Sequence, residues 1–396
     1  MHPTDTAAGA LSHRVIADAR RVAREAAGSV AELAARVAAI PAPTGFEHER
    51  ALAVAELFRD HGAVAVTIDD IDDVVARIPG TRGGAAVLLA AHTDTVFPLS
   101  TPLNIVRTAD RFTGPGIGDN SLGVAAILYL PTILERLGFA PAVDLLLTGN
   151  VGEEGNGNLR GIRAVMEQHP EVGAVIAVEG HNLGRVTHVA VGSRRLRISV
   201  SGPGGHSWGD FGRTNAIHAA ADVIHDLARL QVARSPKTTL SVGTIQGGLS
   251  VNTIPPVCSF EVDMRSTSAP ALRHLGERVD RVLGLSRNGA TVSYDVIGER
   301  PAGMMPLDSP LVRASIDILA AFGISATADA SSTDANVAIS QGIPAVCVGL
   351  TTGGNVHRED EYIELDPLPI GIAQLALLTI AATEAIATVA RPSDEL

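Results

Sequence analysis

Between residues 12 and 40 the apolar positions Val15, Ile16, Val22, Val30, Leu33, Val37 and Ile40 recur at helical spacing in an Ala-rich background, and the pattern stops before Pro41. Residues three and four apart share one helix face, and proline disfavours a helical residue before it, so an amphipathic helix is predicted here. A second is predicted from about Glu47 to Arg59. Short apolar runs then alternate with helical patterns, in the order AAVLLAA, LGVAAILYL, VDLLLT, LRGIRAVMEQ and AVIAVEG. Unbroken apolar strands separated by helices indicate a sheet covered on both faces. The expected fold class is α/β, with a mixed, mostly parallel sheet flanked by helices.

From about residue 188 the order becomes strand LRISVSG, helix NAIHAAADVIHDLARL, strand TTLSVGTIQ, strand CSFEVDMR, helix APALRHLGERVDRVL and strand TVSYDVIG. This βαββαβ succession predicts an inserted α+β, ferredoxin-like domain. After PAGMMPLDSP a helix (LVRASIDILAAFG), a buried-type strand (PAVCVGL) and an Ala/Leu/Ile-rich helix resume the first style. The expected organisation is one domain in two parts, residues 1–187 and 301–396, interrupted by another at residues 188–300. The tail after Arg391 reads as disordered.

Composition narrows the partners. At 396 residues with 46% hydrophobic positions, the chain is long enough for a sizeable core. It carries 31 Lys and Arg against 43 Asp and Glu, a net charge of -12, which repels nucleic acid. Two cysteines, Cys258 and Cys347, fall in buried-type strands and are too few for a disulfide framework or a thiolate zinc site. Charges interrupt the N-terminus where a secretory signal needs an apolar core, and no later run reads as the roughly 18 apolar residues of a membrane span. The expectation is a cytoplasmic protein with neither membrane nor nucleic-acid partners.

In α/β sheets ligands bind beyond the carboxyl ends of the strands, so polar residues that follow apolar runs are the candidates for chemistry. His92-Thr93-Asp94 follows AAVLLAA, Glu153-Glu154 follows VDLLLT by a short turn, Glu179 ends AVIAV, and His357 follows PAVCVGL and a Gly-rich turn. Asp119 lies in the glycine-dense GPGIGDNSLG before an apolar helix. Imidazole with carboxylate suits Zn, Mn, Co or Fe, and two such ions about 3.5–4 Å apart can clamp both sides of a displacement. Two His and three carboxylates suffice if one bridges, with His92 and Glu179 on one side, Glu154 and His357 on the other, and Asp119 between. Glu153 is then an unligated acid beside a ligand, as a general base must be, and Asp94 is placed to brace the His92 imidazole. Taken singly these residues read more plainly, as solvated loop residues, an acidic helix start or a turn cap. Their joint placement makes the case.

The motifs AAHTDTV, GIGDN, GEEGN, VEG and GGNVHREDE, the last with an acid at Glu361, resemble in order and spacing those of the M20 family of metallopeptidases and amidohydrolases. The resemblance runs from about Leu33 to Ala387. It implies two divalent ions, zinc first and cobalt or manganese as alternatives, with a water bridging them and Glu153 as base. It further implies that the insert is a lid or dimerisation domain, that the chain is a homodimer, and that His206 in GPGGHSW polarises the scissile carbonyl from a partner subunit. Asn252 in GGLSVNTIP and Arg265 in DMRS correspond to substrate-holding positions; without the motif, Arg265 reads as an intrastrand partner of Asp263 and Asn252 as a turn residue. Glu rather than Asp at 179 points, within the family, to carboxypeptidase and deacylase members. The expected substrate is therefore a small peptide or N-acyl amino acid with a free carboxylate, an aminopeptidase-type di- or tripeptidase being the alternative. Ser121 stands where many relatives have Lys, and SSTDAN around Asp334 matches the family's substrate-side loop only loosely.

Two readings of other classes compete. Gly205-His206-Ser207-Trp208-Gly209 has the spacing of a serine hydrolase's nucleophile elbow, which needs strand, sharp turn and helix around the serine. A non-catalytic binding protein could keep the fold, although a chain that retained every proposed ligand and the base would be unexpected.

Overall fold

The computed structural model describes residues 12–389, and the tail after Arg391 lies outside them. The described chain forms two compact units, one from the segments up to Val189 and from Met304 onward, the other from Ala190–Gly303. The larger unit is built on a nine-stranded mixed sheet. Its central strands Asp144–Asn150, Ala86–His92, Val172–Glu179 and Ala345–Gly349 are neighbours in that order and run parallel. Val64–Ile68 and Val74–Ile78 extend one side antiparallel, while Arg185–Ala190, joined by Gly303–Met304 and Thr327–Ser331, extends the other.

Every residue of Ala86–His92 and Ala345–Gly349 is buried, as expected of strands covered on both faces. The helices His13–Ala38, Gly123–Arg136 and Leu368–Val389 pack against one another, and the latter two also pack on Ala86–His92. The first begins at Ser12, whose hydroxyl accepts the Val15 N–H at 3.4 Å, and it buries Val22, Val30, Leu33 and Val37, the stripe that predicted it. Register then decides where chemistry can occur: His92 lies opposite Asn150, and Glu179 opposite Gly349. The carboxyl ends of four parallel strands therefore reach one edge together.

One expectation is corrected. Ile117–Arg136 and Leu368–Thr388 do reach membrane-spanning length and hydropathy, with mean hydropathies of 1.4 and 1.7, yet 83% and 72% of their most apolar windows are buried in the protein. Their apolar length serves the protein core. The strands Val64–Ile68 and Val74–Ile78 were not anticipated; the first is half exposed and too mixed in polarity to stand out from a loop.

The smaller unit carries a four-stranded antiparallel sheet ordered Thr238–Gly247, Val257–Ser266, Gly192–Ser201, Thr291–Arg300. With the helices Ala216–Ala228 and Ala269–Leu283 this is the βαββαβ connectivity of a ferredoxin-like unit. Leu196, Ile198, Val200, Phe260, Val262 and Met264 alternate inward along their strands and share a core with Val223, Leu227, Leu275 and Val279.

Candidate metal centre

Strand ends and the loops after them supply the candidate groups of the larger unit. His92 is the last residue of its strand and Glu179 of its own. Glu153 and Glu154 follow Asp144–Asn150 in a turn that precedes the helix Arg160–Gln168, so the pair does not start a helix. Asp119 lies in the irregular turn Ile117–Leu122, where its own backbone is non-helical. His357 follows the strand Ala345–Gly349 by a loop and sits at φ +66°, the left-handed region that a side chain other than Gly rarely occupies without a local reason.

These residues converge. Nε2 of His92 is 3.1 Å from one Asp119 carboxylate oxygen and 3.8 Å from Glu179 Oε2. Nε2 of His357 is 3.1 Å from the other Asp119 oxygen and 2.9 Å from Glu154 Oε1. Asp119 thus points one oxygen at each imidazole. Ligand atoms of His92, Asp119 and Glu179 lie within 4.8 Å of one another, as do those of Asp119, Glu154 and His357, and those of His92, Glu153 and Glu154. All six residues proposed for ligation and proton transfer share one cluster.

The charges in this cluster are unbalanced toward acid. Hydrogen bonds to Asp119 and Glu154 push the His357 imidazole up to about 10 against the cost of burial. Burial opposes a charge on His92, yet hydrogen bonds to Asp119, Asp94 and Glu179 hold it well above the ordinary histidine range. Burial, together with the nearby Asp119 and Asp334 charges, pushes Glu179 up to about 7. The raised histidines mark the carboxylates around them, and neutral imidazole with carboxylate is the donor set that borderline divalent cations take. The residues fit a pair of such ions.

Asp94 does more than brace an imidazole. Its backbone carbonyl is 3.1 Å from Nδ1 of His92, which orients the ring, and its carboxylate lies 3.5 Å from the same nitrogen. The carboxylate's shorter bonds go elsewhere, one oxygen accepting the Glu153 N–H and the other the Glu154 N–H, both at 2.9 Å, with the Thr44 hydroxyl at 2.8 Å. Burial works against its ionisation, but hydrogen bonds from His92 and Thr44 and the Glu154 N–H hold the carboxyl below its ordinary value.

Sequence reasoning missed several supporting groups. Arg50 is fully buried and donates to the Thr93 carbonyl at 2.7 Å and to that of Ile40, so a cation lies beneath the His92-Thr93-Asp94 segment. Asp73 is buried and accepts the Val151 N–H at 2.8 Å, two residues before Glu153. Asn120 donates to the Val178 carbonyl at 2.8 Å and accepts the Gly180 N–H, tying the Asp119 turn to the Glu179 strand. The one available signal was a charged residue on an apolar helix face: Arg50 shares a face with Val54, Leu57 and Phe58. Ser121 is buried and its hydroxyl has no partner among the described residues; Asp334, also buried, stands at the start of the helix Ala335–Ser340.

In the smaller unit, His206 pairs with Thr253 in a short antiparallel bridge, which brings Asn252 beside it; the Asn252 carbonyl accepts the Ser207 N–H at 3.0 Å. The N–H groups of Trp208 and Gly209 both donate to Nδ1 of His206 at 3.2 Å, so the neutral ring carries its proton on Nε2. Arg265 lies on Val257–Ser266 and donates to Asp263 at 2.7 Å, the intrastrand pair that its position alone suggested. Ser207 sits in a turn, and the next helix starts only at Ala216, so the strand, turn and helix of a nucleophile elbow are not formed.

Comparison with known proteins gives three findings. Residues 88–381, well over half of the chain, match the profile of peptidase family M20/M25/M40. The chain is 26% identical to the succinyl-diaminopimelate desuccinylase of Corynebacterium glutamicum, over 85% of this chain and 92% of that one. Its fold is similar to that of aminopeptidase PepT from Bacillus cereus, with a TM-score of 0.75 and 18% identity over 90% of this chain and 99% of PepT. It is likewise similar to the YXEP protein of Bacillus subtilis, described as a dinuclear metal binding peptidase, with a TM-score of 0.67 and 18% identity over 91% and 99% of the two chains.

Proposed function

Given that this chain belongs to peptidase family M20/M25/M40 and is a hydrolase, we propose that it cleaves a peptide or N-acyl amide bond in a small substrate bearing a free carboxylate, with two divalent cations. The observation that carries the reading is the Asp119 carboxylate, whose two oxygens each lie 3.1 Å from a different imidazole, on His92 and on His357. His92 with Glu179 would hold one cation and Glu154 with His357 the other, Asp119 joining them. Bound there, the cations supply Lewis acidity, making water more acidic and a carbonyl more electrophilic.

The protein's own groups do the rest. Glu153, buried beside Glu154, accepts the proton of the attacking water and returns it to the leaving amine. Asp94, by accepting the adjacent N–H groups of Glu153 and Glu154, fixes base and ligand relative to each other. At His206 the proton on Nε2 is the one a donor to a developing oxyanion needs. The guanidinium of Arg265 suits the substrate carboxylate, and Asn252 a polar substrate group. The desuccinylase name of the Corynebacterium relative and the Glu at position 179 support an acylated, carboxylate-bearing substrate.

Elemental analysis together with a screen of N-acyl amino acids, dipeptides and tripeptides, with and without chelator, tests this reading. Two cations per chain and chelator-sensitive release of amine from carboxylate-bearing substrates are expected. Full activity in the presence of chelator would overturn the mechanism. Activity confined to substrates with a free amino terminus would instead make the enzyme an aminopeptidase.

A further inference from the structure

Asp119 can address two imidazoles only if the turn that carries it is held in place. Gly116 adopts φ +66°, and Asp119 and Asn120 depart from helical geometry. The N–H groups of Gly116, Gly118 and Asp119 all converge on Glu361, which is 0% exposed. One Glu361 oxygen accepts Gly116 at 3.1 Å; the other accepts Gly118 at 2.9 Å, Asp119 at 2.7 Å and Nε2 of His181 at 2.9 Å. The Glu361 carbonyl also accepts the Gly114 N–H at 2.8 Å.

Sequence position makes this carboxylate a junction. Glu361 follows His357 by four residues in the same loop, His181 follows Glu179 by two, and the three N–H groups belong to the Asp119 turn. Three of the five ligand-bearing segments therefore meet at one buried group that faces no cation site itself. The fit is close, because a methyl group on Gly118 would overlap the His181 ring.

We propose that Glu361 is a positioning residue that sets the Asp119 carboxylate between the two imidazoles and thereby fixes the second cation. This rests on the two-cation reading above. A carboxylate offers two acceptor oxygens to four donors. In the Glu361→Gln variant one of these oxygens becomes an NH2 group that confronts at least the Gly116 N–H, so the turn is expected to shift even though the side chain keeps its size. Residues that orient ligands typically change metal affinity by 10–100-fold.

The experiment compares wild type, Glu361→Gln, His181→Phe and, as control, Asp360→Asn, whose target is exposed and pairs with Arg358. Cation stoichiometry and affinity are measured by calorimetry, kcat and KM on the best substrate of the screen, and folding by circular dichroism. The Glu361→Gln variant should bind the weaker cation at least 10-fold less tightly and lose kcat with KM little changed; His181→Phe should follow in the same direction with a smaller loss, and Asp360→Asn should match wild type. Unchanged affinity for both cations in the folded Glu361→Gln variant overturns the proposal, as does an equal loss in Asp360→Asn. A crystal structure of metal-free Glu361→Gln keeps the two readings separable. If Asp119 still stands 3.1 Å from both imidazoles, Glu361 does not position it, whatever wild type binds; if wild type binds no pair of cations, the two-cation reading falls by its own measurement. Should Glu361→Gln fail to fold, His181→Phe decides by the same criteria.

Discussion

Replacing Asp73 by Asn should change how stability depends on pH more than it changes stability at any acidic pH. Asp73 is buried beside Asp69 and Asp334; burial first, and those acids next, push its carboxyl from the usual 3.8 to about 8, against the Val151 N–H bond and the Arg160 charge. Between these two values the folded chain holds a proton that the unfolded chain has released, so stability falls as pH rises. The contribution is complete below about pH 4 and is lost once pH climbs through 8. Its limiting slope is about 1.4 kcal/mol per pH unit, or about 3 kcal/mol between pH 5.5 and 7.5, and water entry would lower it. The Asp73→Asn variant keeps an oxygen for the Val151 N–H and cannot ionise, so its stability should be nearly flat with respect to this group. Urea unfolding should be followed by far-ultraviolet circular dichroism, because the single tryptophan, Trp208, lies in the smaller unit and does not report on this core. Parallel pH dependences for wild type and variant would refute the reasoning.

Glu153→Gln should retain its cations and lose kcat by about 10²–10⁴-fold, and normal turnover would remove Glu153 as the base. His206→Ala should lower kcat more than it raises KM, because an oxyanion donor acts in the transition state; a pure KM effect in steady-state kinetics would contradict this. Loading zinc into metal-free protein at neutral pH should release at least two protons, since His357, pushed up to about 10, and His92, raised well above the ordinary range, must each give one up to ligate, and Glu179, pushed up to about 7, gives up the fraction it still holds. A pH indicator in weak buffer that records no release would contradict that charge balance. Gly371→Ala should destabilise the larger unit by at least about 2 kcal/mol, because the added methyl would overlap the Leu350 backbone carbonyl; an unchanged Tm would show that the helix can move aside.

The convergence of the candidate residues was legible because each of them follows an apolar run or lies in a glycine-dense turn, and strand ends in a parallel sheet have one edge on which to meet. His92 and Glu179 needed nothing more than that rule. What held them in place was not legible. Glu361 stood out as an acid after His357, but its partners are backbone N–H groups more than 240 residues earlier, and backbone donors leave no mark in a sequence. Asp73 carries no mark in the sequence, since a lone charged side chain is usually solvated and only the fold shows it to be enclosed, and the one mark of Arg50 is its place on an apolar helix face. The membrane-spanning length of Ile117–Arg136 and Leu368–Thr388 was also not read from the sequence; a mostly buried core helix carries the apolar content of one immersed in lipid.

Ala345–Gly349 lies between Val172–Glu179 and Arg185–Ala190, two strands separated by only a few residues of chain. During synthesis those two strands emerge more than a hundred residues before the strand that separates them in the folded sheet. The smaller unit can finish folding within that interval, whereas the sheet cannot close until its central filler arrives. Nascent chains stalled before residue 349 should therefore bind chaperones and be cleaved readily around residues 180–184, and that vulnerability should vanish once the filler strand is free to insert.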